Sequence, residues 1–175
     1  MPKVSKEQMK DDAEKVIQHL VEDSSQSPYE IATKCGFSRQ KVWRIINRLE
    51  EENRIWGYTA VVDENKLGLN IFFALTRNKV QPAESIEKII KSVKEKKVCK
   101  LGINVLGNYY LNGVYDWITI FTAKDITDAK IFCSYIQKEY GEYVERIDLL
   151  ENVFPIIQFG KINPEINQLK KFALQ

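Results

Sequence analysis

The stretch GFSRQKVWRIINRLE, residues 36–50, decides how the first part of this chain folds. Its glycine can adopt the left-handed backbone conformation that ends a helix, and Ser38 can cap the helix that follows. An apolar stripe then recurs at helical spacing, made of Val42, Ile45, Ile46 and Leu49. The stretch therefore predicts a short turn followed by an amphipathic helix that ends near Asn53.

Two further helices are predicted before this turn. Apolar residues recur at helical spacing between Met9 and Val21, which indicates a helix over about residues 6–22. Ser27, Pro28 and Glu30 then form a helix-start signature, because serine caps free N–H groups, proline fits the first position and glutamate completes a capping box. Three helices with a tight glycine-containing turn between the last two are typical of a helix-turn-helix.

This part of the chain carries a positive charge that the whole chain does not show. The 175 residues include 26 Lys+Arg and 24 Asp+Glu, so the net charge is only +2. Between Ile31 and Leu49, however, no acidic residue occurs, and the basic ones are Lys34, Arg39, Lys41, Arg44 and Arg48. A local positive surface of this kind favours anions. An ordinary solvated helix face is the alternative interpretation of the charge alone.

The last of the three helices offers side chains that can read double-stranded DNA. In a helix-turn-helix, the N-terminal part of that helix enters the major groove. Arginine pairs with guanine, and glutamine or asparagine pairs with adenine, so base contacts are predicted for Arg39, Gln40, Arg44 and Asn47. Phosphate contacts are predicted for Lys34, Ser38, Lys41 and Arg48. A small helical bundle with a basic exterior is the alternative, and Trp43 is expected at the edge of the core.

From residue 69 onward, strand and helix patterns alternate. Strands are predicted over about 69–80, 98–111, 114–122 and 144–159, and helices over about 82–96 and 125–140. In the first of these helices, Ile86, Ile89, Ile90 and Val93 are expected to face inward. The dipeptide Asn112-Gly113 is a strong hairpin signal. The order β-α-β-β-α-β is the split βαβ arrangement of the ferredoxin-like fold.

Composition argues against several other classes of protein. No run of about 18 apolar residues occurs, and the charged N-terminus lacks the apolar core of a secretory signal, so no membrane span and a cytoplasmic location are expected. The three cysteines are far apart and His19 is the single histidine, so neither a metal site nor a cofactor is expected. Motifs of nucleotide-binding, zinc and serine-hydrolase chemistry are absent, and no enzymatic activity is expected.

Several motifs resemble those of the Lrp/AsnC (feast/famine) family of transcriptional regulators. They are GFS at 36–38, RIINRLE at 44–50, IWGYTAVVD at 55–63, KLG at 66–68 and GVYDW at 113–117. The resemblance covers about residues 10–159 and implies an α+β architecture. Its parts are a winged helix-turn-helix DNA-binding domain at 1–62, a hinge at 63–68, a ferredoxin-like βαββαβ effector-binding and dimerisation domain at 69–160, and a C-terminal tail at 161–175.

The resemblance also implies what the chain does. It implies a regulator that binds DNA as a homodimer or higher homo-oligomer and senses a small-molecule effector, usually an amino acid. Carried onto this chain, the effector contacts fall on Asn112, Gly113, Val114, Tyr115 and Asp116. A hairpin closed by a capping aspartate is the alternative for these residues. The chain departs from the family pattern by several additional residues between Lys96 and Gly113.

The sequence allows two other hypotheses for the function of the chain. One is a tetrapyrrole-processing enzyme of the same architecture, similar to the haem-pathway decarboxylases, which the shortage of histidine disfavours. The other is a ligand-sensing module that no longer binds DNA, which the basic and amide residues of the third helix disfavour.

Overall fold

The computed structural model of the chain describes residues 5–79, 83–95 and 102–172. They form two compact units. One comprises the chain up to Val61 with Phe159–Lys161, and the other comprises Val62–Gln158 and the residues from Ile162 onward. The predicted helix start at Pro82, the predicted strand start at Val98, and Cys99 lie outside the described residues.

The first unit contains the three predicted helices, α1 (Lys6–Glu22), α2 (Pro28–Cys35) and α3 (Arg39–Glu51). The predicted capping box is present, since the Ser27 backbone N–H donates to Glu30 Oε2 at 2.7 Å and the Glu30 N–H donates to Ser27 Oγ at 3.3 Å. Gly36 has a φ of 68° and ends α2 as predicted. Local sequence chemistry therefore fixes both the start and the end of α2.

Apolar side chains from all three helices form the core of this unit. The fully buried members are Ala13, Val16, Leu20, Ile31, Ala32, Val42, Ile45 and Leu49. Burying a large aliphatic side chain contributes about 1.5–3 kcal/mol. These contacts fix the orientation of α3 against α1 and α2, so the opposite face of α3 is left to solvent.

Residues 55–62 are rich in strand formers, which predicts a strand, but the structure has none there. Within the described chain they pair with no other strand, and Trp56 among them is almost completely exposed. A strand needs a neighbour for its backbone hydrogen bonds, and high strand propensity cannot supply one. The Tyr58 hydroxyl instead donates to Glu50 Oε1 at 2.9 Å.

The second unit begins with a short 3₁₀ turn at Glu64–Leu67 and then builds a four-stranded antiparallel sheet. Its elements are β1 (Asn70–Asn78), α4 (Ala83–Lys94), β2 (Asn104–Tyr110), β3 (Trp117–Ala123), α5 (Ile126–Tyr140) and β4 (Val144–Glu151). The strand order is β2-β3-β1-β4. This is the predicted βαββαβ arrangement, and the ferredoxin-like expectation is confirmed.

The two faces of the sheet differ. On one face Phe72, Phe121 and the α5 residue Phe132 form the centre of the core, with ring centroids 5.7 Å and 4.6 Å apart. Because successive side chains of a strand point to opposite faces, the strand register also identifies the residues on the other face. Its cross-strand rows are Leu150–Phe73–Ile120 and Asp148–Leu75–Ile118–Tyr109.

The inward face of α4 was predicted correctly only in part, since Ile86 and Ile89 are half-buried. Ser85 and Ser92 are its buried residues, whereas Ile90 and Val93 are 48% and 61% exposed. The apolar pattern identified a helix, but packing against the sheet selected the stripe that runs through the two serines. This orientation turns the two small serine side chains toward the space between the helix and the sheet.

The end of the last predicted strand needs correction. The predicted fourth strand, 144–159, ends at Glu151, and residues 157–158 and 161–162 form a separate short pair, β5 (Ile157–Gln158) and β6 (Lys161–Ile162). The additional residues before Gly113 form β2, whose pairing with β3 is irregular between Val105 and Gly107. The tail contains a 3₁₀ helix, Ile166–Lys171. No helix in the described ranges is long and apolar enough to cross a membrane.

Candidate nucleic-acid interface

The turn that precedes α3 sets where this helix starts. The Phe37 N–H donates to the Ala32 carbonyl at 2.9 Å, which closes the turn after Gly36. Ser38 is the N-cap, and its Oγ accepts the Lys41 backbone N–H at 3.2 Å. Arg39 is therefore the first helical residue, and the side chains of the first turns of α3 project from a defined backbone.

The four predicted base-contacting residues lie together on the solvent side of α3. Arg39, Gln40 and Arg44 are exposed and Asn47 is half-buried, and at 100° per residue all four fall within one arc of the helix. Arg44 Nε donates to the Gln40 carbonyl at 3.3 Å. Its terminal guanidinium nitrogens are the groups that a bidentate contact with guanine uses.

Trp43 lies in the middle of this arc and is 58% exposed. The sequence placed it at the edge of the core, and the structure corrects this. The core of the unit is filled by aliphatic side chains, so the indole remains on the surface between Arg39 and Asn47. The sequence signal for this exposure is the angular position of Trp43, which at 100° per residue lies opposite the apolar stripe of α3.

Two of the predicted phosphate-binding residues contact α1 instead of facing open solvent. Lys41 Nζ lies 2.6 Å from Asp12 Oδ2 and 3.8 Å from the centroid of the Phe37 ring. Arg48 donates from Nη2 to the Met9 carbonyl at 3.4 Å. Any phosphate contact by Lys41 has to compete with a carboxylate that is already bound.

Asp12 was not identified from the sequence, although it falls four residues before Val16 on the buried stripe of α1. Its side chain is only 4% exposed and also accepts a hydrogen bond from Gln8 Nε2 at 3.1 Å. Burial on its own raises the pKa of this carboxyl. The hydrogen bonds from Lys41 and Gln8 and the positive charge of Lys41 outweigh that effect and hold the pKa below its usual value.

The remaining phosphate-binding candidates lie at the surface. Lys34, in the last turn of α2, is exposed, and its Nζ donates to Gln26 Oε1 at 2.6 Å. Ser38 is exposed at the N-terminus of α3, where backbone N–H groups and the helix dipole favour an anion. Ser38 immediately precedes Arg39, so the N-terminus of α3 and the arc lie next to each other.

The predicted effector residues lie in the second unit, on the loop between β2 and β3. This loop has six residues, 111–116, and Gly113 is not among the glycines with positive φ, so the tight two-residue turn suggested by Asn112-Gly113 is not formed. Asn112, Gly113 and Val114 are exposed, whereas Tyr115 and Asp116 are half-buried. The loop therefore divides into an exposed tip and an anchored end.

Asp116 anchors this loop to β1. Its backbone N–H donates to the Thr76 carbonyl at 2.9 Å, its carbonyl accepts the Leu111 N–H at 2.7 Å, and its Oδ2 accepts the Asn78 N–H at 2.7 Å. The alternative of a capping aspartate thus describes its contacts within the chain.

Tyr115 joins a short polar network at the same end of the sheet. Its hydroxyl donates to Asp148 Oδ2 at 2.8 Å, and Arg146 Nε donates to Asp148 Oδ1 at 2.7 Å. These two hydrogen bonds lower the pKa of Asp148, and the bond to Asp148 raises the pKa of the Tyr115 phenol. The network fixes the position of the Tyr115 side chain. Among the described residues no group of three His, Cys, Asp or Glu side chains is arranged to hold a metal ion.

Comparison with known proteins agrees with this geometry. Residues 13–55 match the winged helix-turn-helix DNA-binding family. The chain is 26% identical over 159 residues to an uncharacterised HTH-type transcriptional regulator of Pyrococcus horikoshii, a match that spans 91% of this chain and 93% of the relative. The first unit is accordingly a winged helix-turn-helix DNA-binding domain.

Solved structures share the whole fold. The crystal structure of the Pyrococcus protein superposes with a TM-score of 0.68 at 22% identity, covering 89% of this chain and 96% of that one. An AsnC family transcriptional regulator from Agrobacterium tumefaciens gives 0.66 at 20% identity, with coverages of 88% and 96%. A feast or famine regulatory protein from M. tuberculosis, complexed with L-methionine, gives 0.68 at 17% identity, with coverages of 86% and 95%. The fold and the DNA-binding match bear out the resemblance that the sequence motifs indicated.

Proposed function

We propose that this chain, which has the fold and the DNA-binding domain of the Lrp/AsnC family, is a cytoplasmic transcriptional regulator that binds a specific DNA sequence. The observation that carries the proposal is the exposed arc on α3. It brings two arginines and two amides together on one side of the last helix of a helix-turn-helix. Arg39, Gln40 and Arg44 lie in the first two turns, and Asn47 lies in the next turn.

Residues of the arc would contact bases, and residues beside it would contact phosphates. Bidentate contacts from Arg39 and Arg44 would select guanine, and contacts from Gln40 and Asn47 would select adenine. Lys34 and the N-terminus of α3 at Ser38 would bind phosphates and set the register. A two-fold dimer would place two such helices about one helical turn, or a multiple of it, apart, so the expected target is a pseudo-palindrome.

Selection from a pool of random duplexes tests this proposal. The full chain is incubated with the pool, bound DNA is amplified over several rounds, and the enriched sequences are aligned. The expected result is a pseudo-palindrome with half-sites about 10 base pairs apart or a multiple of that spacing. Bound sequences that resemble the starting pool would reject a sequence-specific regulator.

We also propose that the second unit dimerises through the face of the sheet that α5 does not cover. The side chains at the centre of this face are apolar and half-buried within one chain, and they are Phe73, Leu75, Ile118 and Ile120. Leu150 and Tyr109 at the ends of the rows are about half exposed, and the charged Asp148 lies at the other end of one row. An antiparallel sheet can leave one face in water, but that face is then polar. The apolar centre of this face therefore favours a covering layer, which a second copy of the same face would supply.

The proposed effector site is the exposed tip of the loop at residues 112–116. The relative of known structure with bound L-methionine supports an amino-acid effector for the family. Here the backbone of Asn112 and Gly113 would offer hydrogen bonds to a carboxylate, and Asp116 would accept an ammonium group. An effector that prefers one assembly state would then change DNA affinity by linkage.

The variant Asp116→Asn tests this site without dismantling the loop. Asparagine keeps a side-chain oxygen for the Asn78 N–H, so the loop stays anchored, but it loses the charge that an ammonium group needs. DNA affinity and oligomer size are measured with each of the twenty amino acids, for the wild type and the variant. The proposal expects a response in the wild type that weakens at least tenfold in the variant. A wild type indifferent to all twenty, or a variant with an unchanged response, rejects the site.

A further inference from the structure

We propose that the second unit contains a small-molecule site between α4, α5 and the sheet, separate from the loop at 112–116, for a neutral aromatic molecule about one ring in size. A cavity of about 100 Å³, partly open to solvent, lies there. For comparison, an engineered apolar cavity of about 150 Å³ is known to bind benzene. The volume here suits a single ring that projects toward the opening.

The cavity exists because of the residues that α4 turns toward the sheet. Ser85, Ile89 and Ser92 follow one another at helical spacing, and all three line the cavity. The two serines are 2% and 7% exposed, but their side chains are too small to fill the space that larger residues would occupy. Leaving such a space empty costs stability, and a bound molecule recovers part of that cost.

Aromatic side chains form much of the wall opposite α4. They come from β3, from α5 and from the turn that follows it, and they are Trp117, Phe132, Tyr135, Tyr140 and Tyr143. Aromatic rings prefer offset-stacked or edge-to-face contacts with other rings. A flat aromatic ligand therefore makes more favourable contacts here than an aliphatic one of equal volume.

The polarity of the wall excludes a charged ligand. Among the described residues that line the cavity none is charged, and the polar ones carry hydroxyl or amide groups, such as Thr76, Thr119 and Asn108. An amino-acid zwitterion would bury two charges without partners, which is costly. A neutral ring with a hydroxyl group can instead form a hydrogen bond with the wall. The ligand class is thus different from that of the proposed effector loop, and the inference does not depend on the loop or on DNA.

Fluorine NMR of the full chain with 4-fluorophenol tests the site. The expected result is saturable binding of one molecule per chain, with 4-fluorobenzoate binding at least tenfold more weakly because of its charge. Ser92→Leu fills the cavity and is expected to abolish binding. Ser134→Leu is the matched control, since Ser134 lies exposed on α5, away from the cavity, and its hydroxyl donates to the Lys130 carbonyl.

A second measurement on the wild-type chain keeps the test independent of how the variants fold. Amide shifts on addition of 4-fluorophenol are mapped by ¹H–¹⁵N spectra and are expected at Thr119, Phe132 and Tyr135, which line the cavity. The proposal is overturned if 4-fluorophenol does not saturate, or if the benzoate binds equally well. It is also overturned if a folded Ser92→Leu variant binds as the control does, or if the shifts centre on residues 112–116.

Discussion

Lys41 on α3 places its ammonium 2.6 Å from the carboxylate of Asp12 on α1, and the aspartate side chain is almost fully buried. The residue that the sequence marks as a phosphate contact is thus also the counter-charge of a buried acid. A buried carboxylate without its partner is costly, so this pair ties the orientation of α3 to α1. The arc on α3 that we propose to contact DNA depends on that orientation.

Lys41→Ala is therefore expected to act on stability before it acts on DNA. Because it leaves Asp12 buried without its cation, the variant should lose about 2 kcal/mol of unfolding free energy, less than for a fully buried pair since Lys41 is partly exposed. Chemical denaturation monitored by circular dichroism measures the loss. Lys10→Ala, an exposed lysine on α1, should change little. Adding Asp12→Asn to Lys41→Ala should recover part of the loss, and a double variant as unstable as the sum of the two singles would contradict the pairing.

The lowered pKa of Asp12 predicts how the stability of the first unit changes at acid pH. Its folded pKa lies below the ordinary value of about 3.9, so its stabilising contribution is fully present above that value. The contribution is lost as pH falls through the folded pKa. The difference in unfolding free energy between wild type and Asp12→Asn should therefore be constant from neutral pH down to about pH 5 and shrink below about pH 4. A difference that does not depend on pH would contradict the assigned contacts.

Arg44→Ala is expected to relax sequence preference at one position of each half-site. Losing a bidentate contact with a base costs about 1–3 kcal/mol and affects cognate DNA more than scrambled DNA. The measurement is a comparison of dissociation constants for the selected duplex and for duplexes altered at single positions. Arg77→Ala, in the second unit, is the control for loss of one exposed arginine. Equal weakening on all duplexes would mean that Arg44 binds phosphate rather than a base.

Ile118→Glu is expected to separate the proposed dimer. Ile118 lies opposite Leu75 on the sheet face that α5 does not cover, and a carboxylate there would be buried between two apolar layers. Size-exclusion chromatography with light scattering should find a monomer at concentrations where the wild type is a dimer or larger. Ile131→Glu, on the exposed side of α5, makes the same chemical change outside this face and should leave the assembly unchanged. A monomeric wild type would remove the dimer proposal.

The parts of the fold that were predicted correctly depend on local chemistry. The capping box of Ser27 and Glu30 and the left-handed Gly36 involve residues within a few positions of one another, and the start and end of α2 follow directly from them. The order of strands and helices in the second unit was also predictable, because in each element apolar residues recur at the spacing typical of a strand or of a helix. The connections then allow few arrangements, and the ferredoxin-like one was found.

What could not be predicted depends on partners distant in sequence. Residues 55–62 have strand composition but lack a neighbouring strand, and α4 shows enough apolar residues for more than one inward face. Lys41 and Asp12 lie far apart in the chain, so the sequence of α3 alone does not show that they pair. The lysine of α3 was therefore predicted to contact DNA together with its arginines. Trp43 was misplaced because size and apolarity suggested the core, while its angular position on α3 indicated the surface.

The central claim is that the exposed arc on α3 reads DNA. A salt titration of binding to the selected duplex and to a scrambled duplex of equal length tests it most directly. A dimer that makes roughly four phosphate contacts per subunit should give a log–log slope of about −7, and the selected duplex should bind at least a hundredfold more tightly at every salt concentration. Equal affinity for the two duplexes, or no binding to either at low salt, would contradict the account.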